Sequence, residues 1–196
     1  MRVIAGAAKG HKLQTIEGLN TRPTTDRIKE TLFNIIAFDL PESRFLDLFS
    51  GSGAIGIEAL SRGADTAVFV EQAAECQKVI TENLTHTKLM ERARLIKSDV
   101  LTGLAQLSAE QETFDIIFMD PPYAAGLAEP TLEKAGLAEP TLEKIVSGGL
   151  LAPEGMVIVE RSAQIPLAPI KGLYVDREKN YKTTVITFLR LEESAT

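Results

Sequence analysis

The chain has 196 residues, of which 44% are hydrophobic and 24% are charged, and its formal net charge is −6. This composition is typical of a globular protein and excludes an intrinsically disordered chain. No apolar run approaches the roughly 18–20 residues that cross a bilayer, and the first residues lack the apolar core of a secretory signal. The single cysteine, Cys76, excludes an internal disulfide and a cysteine zinc cluster. We therefore expect a cytoplasmic protein.

The predicted elements begin with two short strands, residues 2–6 and 12–16, around a turn that contains glycine. A helix follows, with Thr24, Thr25 or Asp26 as its cap. From residue 44 onward, apolar strands alternate with helices, which predicts a parallel sheet that is covered on both faces. The predicted strands are residues 45–49, 66–71, 93–98, 114–120 and 155–160, and the predicted helices are residues 54–61, 74–87, 101–107 and a stretch before Gly148.

The last two predicted strands, residues 172–175 and 183–191, are joined by only seven residues. A parallel crossover needs a longer connection, so these strands should form an antiparallel hairpin at the edge of the sheet. We divide the chain into an N-terminal hairpin and helix, residues 1–40, and a main domain, residues 41–196.

The decapeptide AGLAEPTLEK occurs twice in tandem, at residues 125–134 and 135–144. Ten residues advance a helix by about 1000°, so the two copies would present their leucines on faces about 80° apart. Pro140 would also break a helix that began at Pro130. We expect one copy to form an inserted loop or an extra turn.

The charge is unevenly distributed. Residues 1–31, which we call the basic arm, hold six basic and three acidic side chains, whereas the rest of the chain holds 15 basic and 24 acidic ones. A polyanion would be attracted to the arm and repelled by much of the remainder. Charge alone is equally compatible with a solvated surface on which basic residues cluster by chance.

A glycine-rich stretch, DLFSGSGAIG, runs from Asp47 to Gly56 and leads from a predicted strand into a predicted helix. Gly51, Gly53 and Gly56 let a ligand approach the backbone, and the helix N-terminus supplies free N–H groups. The glycine pattern alone is a weak signal, and a plain strand-to-helix turn remains the alternative. Glu71 ends the next strand, where a carboxylate can accept hydrogen bonds from both ribose hydroxyls. Together they predict a cofactor that carries adenosine.

Two further motifs end predicted strands. Asp99 could accept a hydrogen bond from an adenine amino group or could cap the following helix, and both interpretations stay open. The motif DPPY, residues 120–123, is more specific, because a structural turn does not explain a carboxylate, two prolines and an aromatic ring where ligands bind in open α/β sheets. The Asp120 carboxylate and the Pro121 carbonyl can both accept from an exocyclic NH2 group, and Tyr123 offers a ring face to a flipped base.

In this order, the motifs resemble those of the Rossmann-like class I methyltransferases, which use S-adenosylmethionine and methylate exocyclic amines. Within that class, three stretches closely resemble the RsmD family, bacterial enzymes that modify guanine N2 in 16S ribosomal RNA: RVIAGAAKGHKL, RPTTDRIKETLFN and LDLFSGSGAIGIEALSRGA. The resemblance covers nearly the whole chain, and the duplicated decapeptide departs from it. It implies an α/β fold with a seven-stranded, mostly parallel sheet in the order 3-2-1-4-5-7-6 whose last strand is antiparallel.

The resemblance also implies roles for individual residues. Glu71 would hold the ribose hydroxyls of S-adenosylmethionine and Asp99 its adenine amino group, while the methionine and ribose side would be lined by Asp47, Gly51, Gly53 and Gly56. Asp120 and Pro121 would grip the guanine amine, with Tyr123 as the third catalytic residue. No metal would be needed, because the sulfonium is already a strong electrophile.

The implied partner is 16S ribosomal RNA, within an assembling small ribosomal subunit, and we expect a monomer that does not bind membranes. Residues 1–40 would then be an RNA-facing extension and residues 41–196 the methyltransferase domain. Candidate phosphate contacts are the basic side chains of the arm: Arg2, Lys9, Lys12, Arg22, Arg27 and Lys29.

Other functions share part of the pattern. A DNA adenine-N6 methyltransferase has the same Asp-Pro-Pro-Tyr chemistry but usually carries a separate target-recognition domain, and only about 36 residues follow Glu160. A protein-glutamine methyltransferase should carry asparagine in place of Asp120. A nicotinamide dehydrogenase would leave residues 120–123 unexplained. A non-catalytic RNA-binding assembly factor could have kept the fold.

Overall fold

The computed structural model describes residues 1–16, 26–122 and 136–193. These residues fall into two compact units, Met1–Asp99 and Val100–Thr196. None of the helices in the described residues has the length and apolar character that spanning a membrane would require.

The first unit alternates helices with parallel strands. Strand β1 pairs with β2, and β2 pairs with β3, in parallel throughout. Both β1 and β2 are buried along nearly their whole length, which is why their sequences do not alternate regularly between apolar and polar residues. Asp47 is the one acidic residue among the buried positions of β1. The elements are α1 (Asp26–Ile35), β1 (Arg44–Leu48), α2 (Ala54–Ser61), β2 (Thr66–Val70), α3 (Ala74–His86), a 3-10 turn (Met90–Arg92) and β3 (Ala93–Ile96).

The described residues of the second unit form two helices and four strands. Strand β4 pairs with β5 in parallel, and β7 pairs with both β5 and β6 in antiparallel fashion. Helix α5 packs against α4 and β5. The elements are α4 (Val100–Ala109), β4 (Phe114–Met119), α5 (Ala138–Ser147), β5 (Leu151–Ser162), β6 (Leu173–Asn180) and β7 (Thr184–Leu191).

The seven strands form one sheet in the order β3-β2-β1-β4-β5-β7-β6. This order and the antiparallel hairpin at the edge confirm the predicted fold class. Strand β6 is longer than predicted, because it continues to Asn180 through four consecutive charged residues. Ion pairs to β5 (Arg161 to Glu178) and to the adjacent strand β7 (Arg190 to Asp176) replace the apolar contacts on which a sequence pattern depends.

The two strands predicted at the N-terminus are reduced to a single antiparallel bridge between Arg2 and Lys12. Backbone hydrogen bonds such as Val3 N–H to His11 and Leu13 N–H to Met1 join the two halves of this segment, and side chains of α2 supply further bonds. Glu58 accepts from the N–H groups of Ile4 and Ala5 at 2.9 and 3.1 Å. The segment is therefore held by helix α2 and needs no longer strand ladder.

The second copy of the decapeptide supplies the first part of α5. The helix begins at Ala138, so Pro140 lies in its first turn, where a backbone N–H has no partner inside the helix. Leu142 and Ile145 are its buried apolar residues. The first copy, residues 125–134, lies outside the described residues, as do Thr24 and Thr25, two of the three alternative helix caps; the third, Asp26, is the first residue of α1.

Candidate active site

The loop between β1 and α2 has an unusual backbone. Phe49, Gly51 and Gly53 have φ angles of 57°, 55° and 76°, in the left-handed region that favours glycine. The N–H of Gly53 closes a tight turn by donating to the carbonyl of Ser50 at 2.7 Å. A Cβ atom on Gly51 would meet no atom of the described residues within 4 Å. The glycine loop, residues 49–53, therefore leaves its backbone open to a ligand at Gly51.

Asp47 and Gly56 shape this loop from behind. The Asp47 side chain is buried, and its Oδ2 accepts a hydrogen bond of 2.9 Å from the N–H of Gly56 in the first turn of α2. A Cβ atom on Gly56 would lie 2.3 Å from Cε1 of Phe69. Close packing therefore accounts for this third glycine, and a helix-terminal carboxylate accounts for Asp47.

Glu71 follows β2 and connects two segments of the first unit. Its Oε2 accepts from the N–H of Gly51 at 2.9 Å, and its Oε1 accepts from the N–H of Ala73 at 2.8 Å, just before α3. Each carboxylate oxygen has a second lone pair and can accept another hydrogen bond. The carboxylate predicted to meet a ribose is thus bonded directly to the glycine loop.

Asp99 lies after β3 and directly precedes α4, and its side chain is exposed. This position fits both interpretations of the sequence, an adenine contact and a helix cap. The prediction for Asp99 therefore stays a prediction.

Asn83 contacts the glycine loop, and the sequence analysis did not single it out. It lies on α3 beside the buried residues Cys76, Ile80 and Leu84, and its Nδ2 donates to the carbonyl of Ser52 at 2.9 Å. The sequence signal for Asn83 was an amide on the apolar stripe of an amphipathic helix. Because a buried polar group needs hydrogen-bonding partners, such an amide indicates contacts with other segments.

In the second unit, Asp120 follows β4. Burial, and then the negative charge of Glu160, raise the pKa of the Asp120 carboxyl from its ordinary value of 3.8 to about 8. Pro121 is buried and Pro122 is exposed, whereas Tyr123 lies outside the described residues. A carboxyl group with this pKa can change its protonation state near neutral pH, as acid–base groups in active sites do.

Glu160 is a second carboxylate that the sequence analysis passed over. It is only 6% exposed, and it lies on β5. Met119 is in register with Val159 on these parallel strands, so Asp120 and Glu160 are the next residues along two neighbouring strands. The sequence signal for Glu160 was an acidic residue at the end of a predicted strand. Only the pairing of β4 with β5 shows that this residue lies beside Asp120.

The predicted phosphate contacts divide into two groups. Arg2, Lys9, Lys12 and Arg27 are exposed, and Arg22 lies outside the described residues. Along the bridged segment, Arg2 and Lys12 are exposed while their neighbours Val3 and Leu13 are buried, so the basic side chains lie on the outer face.

Lys29 contradicts the prediction. Its side chain is fully buried, and its Nζ donates to the carbonyl of Arg2 at 2.6 Å and lies 3.2 Å from Oε2 of Glu58, which is also fully buried. Arg62 pairs with the other oxygen of Glu58 at 2.7 Å. An ammonium group in this position is not available to a phosphate, and we assign Lys29 to holding the basic arm against α2.

Comparisons with known proteins agree on one family. The profile of the family described as Conserved hypothetical protein 95 matches residues 1–190. Ribosomal RNA small subunit methyltransferase D from Haemophilus influenzae is 34% identical over 99% of this chain and 94% of its own length. The Escherichia coli K12 protein of the same name is 35% identical over 86% of this chain and 79% of its own length.

A solved structure supports the same relationship. The Escherichia coli protein yhhF has a TM-score of 0.81 at 31% sequence identity, and the match covers 99% of both chains. On the strength of the family profile and of these relatives, the chain belongs to the RsmD family, the family of ribosomal RNA small subunit methyltransferase D.

Proposed function

We propose that this protein transfers a methyl group from S-adenosylmethionine to the exocyclic N2 of a guanine in 16S ribosomal RNA. The observation that carries the proposal is the half-buried carboxyl group of Asp120 with its raised pKa, followed by two prolines at the end of β4, in a chain that also has a glycine loop bonded to Glu71. The printed names of the two curated relatives support ribosomal RNA as the substrate. The choice of guanine N2 rests on the resemblance of the motifs to the RsmD family.

The residues of the first unit fit the cofactor. When bound, S-adenosylmethionine supplies a methyl group on a positively charged sulfur. Glu71 would accept hydrogen bonds from the ribose hydroxyls, and the open backbone at Gly51 would allow the close approach that a nucleoside needs. Asp99 would accept from the adenine amino group. Asp47 and Gly56 would contribute indirectly, because they fix the loop and the start of α2.

Asp120 and Pro121 would orient the target amine. A guanine N2 lone pair is delocalised into the ring, and hydrogen bonds from its N–H groups to a carboxylate and a carbonyl would localise it and direct it toward the methyl carbon. Alignment of this kind is worth several kcal/mol. The nitrogen becomes positive as it gains the methyl group and then loses one proton. A carboxylate whose pKa is about 8 is well suited to stabilise that charge and to take the proton.

The basic arm would supply the contacts to RNA. Arg2, Lys9, Lys12 and Arg27 are exposed and would meet phosphates, as would Arg22. We also propose that residues 1–40 act as the RNA-facing extension of a methyltransferase domain, residues 41–196, and that the protein acts as a monomer on an assembling small subunit. The acidic character of the remaining chain favours basic ribosomal proteins as neighbours on such a particle.

The experiment is a transfer assay with S-adenosylmethionine labelled in its methyl group. Protein-free 16S ribosomal RNA, small ribosomal subunits lacking the modification, and DNA are offered in parallel. We expect label in guanine of the ribosomal RNA, whereas label in DNA adenine, or no label in any substrate, would contradict the proposal.

Asp120→Ala should lower transfer by roughly 100-fold or more, as does removal of other groups that stabilise developing charge. Its affinity for S-adenosylmethionine, measured by calorimetry, should stay within a few fold of the wild-type value. Asp39→Ala, which removes an exposed carboxylate, is the matched control and should transfer normally. Near-normal turnover by Asp120→Ala would refute the assignment of Asp120.

A further inference from the structure

Asn83 touches two segments with different proposed tasks. Asn83 is 1% exposed, and within the described residues the hydrogen bonds of its side chain go to backbone atoms. Oδ1 accepts from the N–H of Gln14 at 2.8 Å, while Nδ2 donates to the carbonyl of Gln14 at 3.1 Å and to the carbonyl of Ser52 at 2.9 Å. One planar amide therefore joins the basic arm to the glycine loop.

These partners fix the orientation of the amide. A flipped side chain would turn Nδ2 toward the N–H of Gln14 and Oδ1 toward the carbonyl of Ser52, so that donors would face donors and acceptors would face acceptors. In a site with so little access to water, each unsatisfied group would cost about 1–3 kcal/mol. The orientation of the amide is thus set jointly by the arm and the loop.

On the loop side, Asn83 controls a single peptide unit. The carbonyl of Ser52 accepts from Asn83, and the N–H at the other end of the same peptide, on Gly53, donates to the carbonyl of Ser50. The peptide joins Ser52 to Gly53, whose φ angle of 76° is in the left-handed region and which, as a glycine, adopts positive and negative φ about equally readily. The bond from Asn83 and the turn bond of Gly53 together therefore fix which way this part of the glycine loop faces.

On the arm side, Asn83 binds the backbone next to a proposed phosphate contact. Gln14 lies two residues after the exposed Lys12, and Leu13 between them is buried. The side chain of Gln14 is exposed, so it is the path of the main chain that Asn83 recognises. Phosphate binding at Lys12 would order the same stretch of backbone that the amide holds.

We propose that Asn83 is a positioning residue that makes the binding of RNA to the basic arm and the binding of S-adenosylmethionine to the glycine loop mutually favourable. The proposal rests on the proposed function. A ligand that orders one side of the amide reduces the ordering that the other ligand must impose, so each should strengthen the binding of the other. Linkage requires the two effects to be equal, and coupling of this kind is typically about fivefold or more.

The experiment measures the coupling itself. The dissociation constant of S-adenosylhomocysteine is determined by calorimetry with and without saturating unmethylated 16S ribosomal RNA, and that of the RNA is determined by filter binding with and without S-adenosylhomocysteine. We expect each ligand to improve the affinity for the other by about fivefold or more in the wild type, and by the same factor in both directions.

Asn83→Leu keeps the approximate size of the side chain and removes all three hydrogen bonds. We expect its coupling factor to fall to about one. Thr85→Ala, an exposed position on the same helix, is the matched control and should keep the wild-type factor. A purely structural role for Asn83 would lower the melting temperature and both separate affinities but leave the factor intact, and that result would overturn the proposal.

A second variant covers the case in which Asn83→Leu does not fold. Asn83→Ala also removes these three hydrogen bonds but brings neither a charge nor a branched apolar group against the backbone of Gln14 and Ser52, and its coupling factor should also approach one. A wild-type protein that binds neither ligand would contradict the proposed function. A wild-type protein that binds both with a factor near one would contradict only the coupling.

Discussion

Replacing Lys29 with methionine separates a structural role of this residue from the RNA contact that its position in the basic arm predicted. The substitution removes the ammonium but keeps an unbranched, largely apolar side chain. In the wild type, the ammonium donates to the carbonyl of Arg2 and pairs with Glu58 inside the protein. The variant leaves Glu58 with Arg62 and with backbone donors of the arm, and leaves the carbonyl of Arg2 without this donor.

The expected loss of stability follows from the burial of the pair. Removing one partner of a buried ion pair costs about 3–5 kcal/mol, because the other charge stays buried and less well compensated. Since Arg62 remains 2.7 Å from Glu58, we expect the lower end, about 3 kcal/mol. In a domain of this size each kcal/mol shifts the melting temperature by about 2–4 °C, so Lys29→Met should melt roughly 6–12 °C below the wild type.

The assay combines thermal unfolding, followed by circular dichroism, with RNA binding measured at several salt concentrations. Lys12→Met, at an exposed position, is the control: its stability should change by less than about 0.5 kcal/mol, while the salt dependence of its RNA binding should weaken by about one phosphate contact. Lys29→Met should lose stability but keep the salt dependence of RNA binding when binding is measured well below its melting temperature. A Lys29 variant that melts like the wild type and loses salt dependence would refute the reasoning.

Three further predictions follow from the two units. Methyl transfer should rise with pH toward about pH 8, where Asp120 ionises. Glu160→Gln removes a neighbouring negative charge and should move the midpoint of this pH profile to lower pH, and an unchanged midpoint would contradict the influence of Glu160 on Asp120. The raised pKa also means that the folded state holds the proton more tightly, so the free energy of unfolding should fall between about pH 4 and pH 8, and urea titrations of Asp120→Asn should show a weaker fall. Gly56→Ala would place its Cβ 2.3 Å from Phe69 and should lower the free energy of unfolding by about 1–3 kcal/mol. Its affinity for S-adenosylmethionine, measured by calorimetry, should also fall, and a normal affinity would contradict this prediction.

The positions of most elements could be predicted because their signals are local. The strand at Thr66–Val70 and the helix at Ala54–Ser61 match the predicted ranges to within one residue. The antiparallel pairing of the last two strands was predictable as well, because a connection of a few residues is too short for the crossover that parallel strands need. Strand β6 was only partly predicted, because its charged residues are stabilised by partners on β5 and β7 that are remote in sequence.

The residues of the candidate site could be predicted where they belong to short sequence motifs. Gly51, Glu71 and Asp120 could be singled out because they follow predicted strands, at the edge of an open α/β sheet where ligands bind. Their contacts were not predictable: the bond from Gly51 to Glu71 spans twenty residues, and the influence of Glu160 on Asp120 spans forty.

By itself, the sequence determined the alternation of elements, the glycine loop, the Asp-Pro-Pro motif and, through resemblance, the family and its strand order. Only the tertiary structure decided which polar residues are inside. Lys29 has the same charge as Lys12, yet one is fully buried against Glu58 and the other is exposed. Asn83 likewise acquires its role from Gln14 and Ser52, 69 and 31 residues away. Periodicity reports the face of an element on which a residue lies, whereas the partner that makes burial of a charge or an amide tolerable comes from a distant segment that only folding brings near.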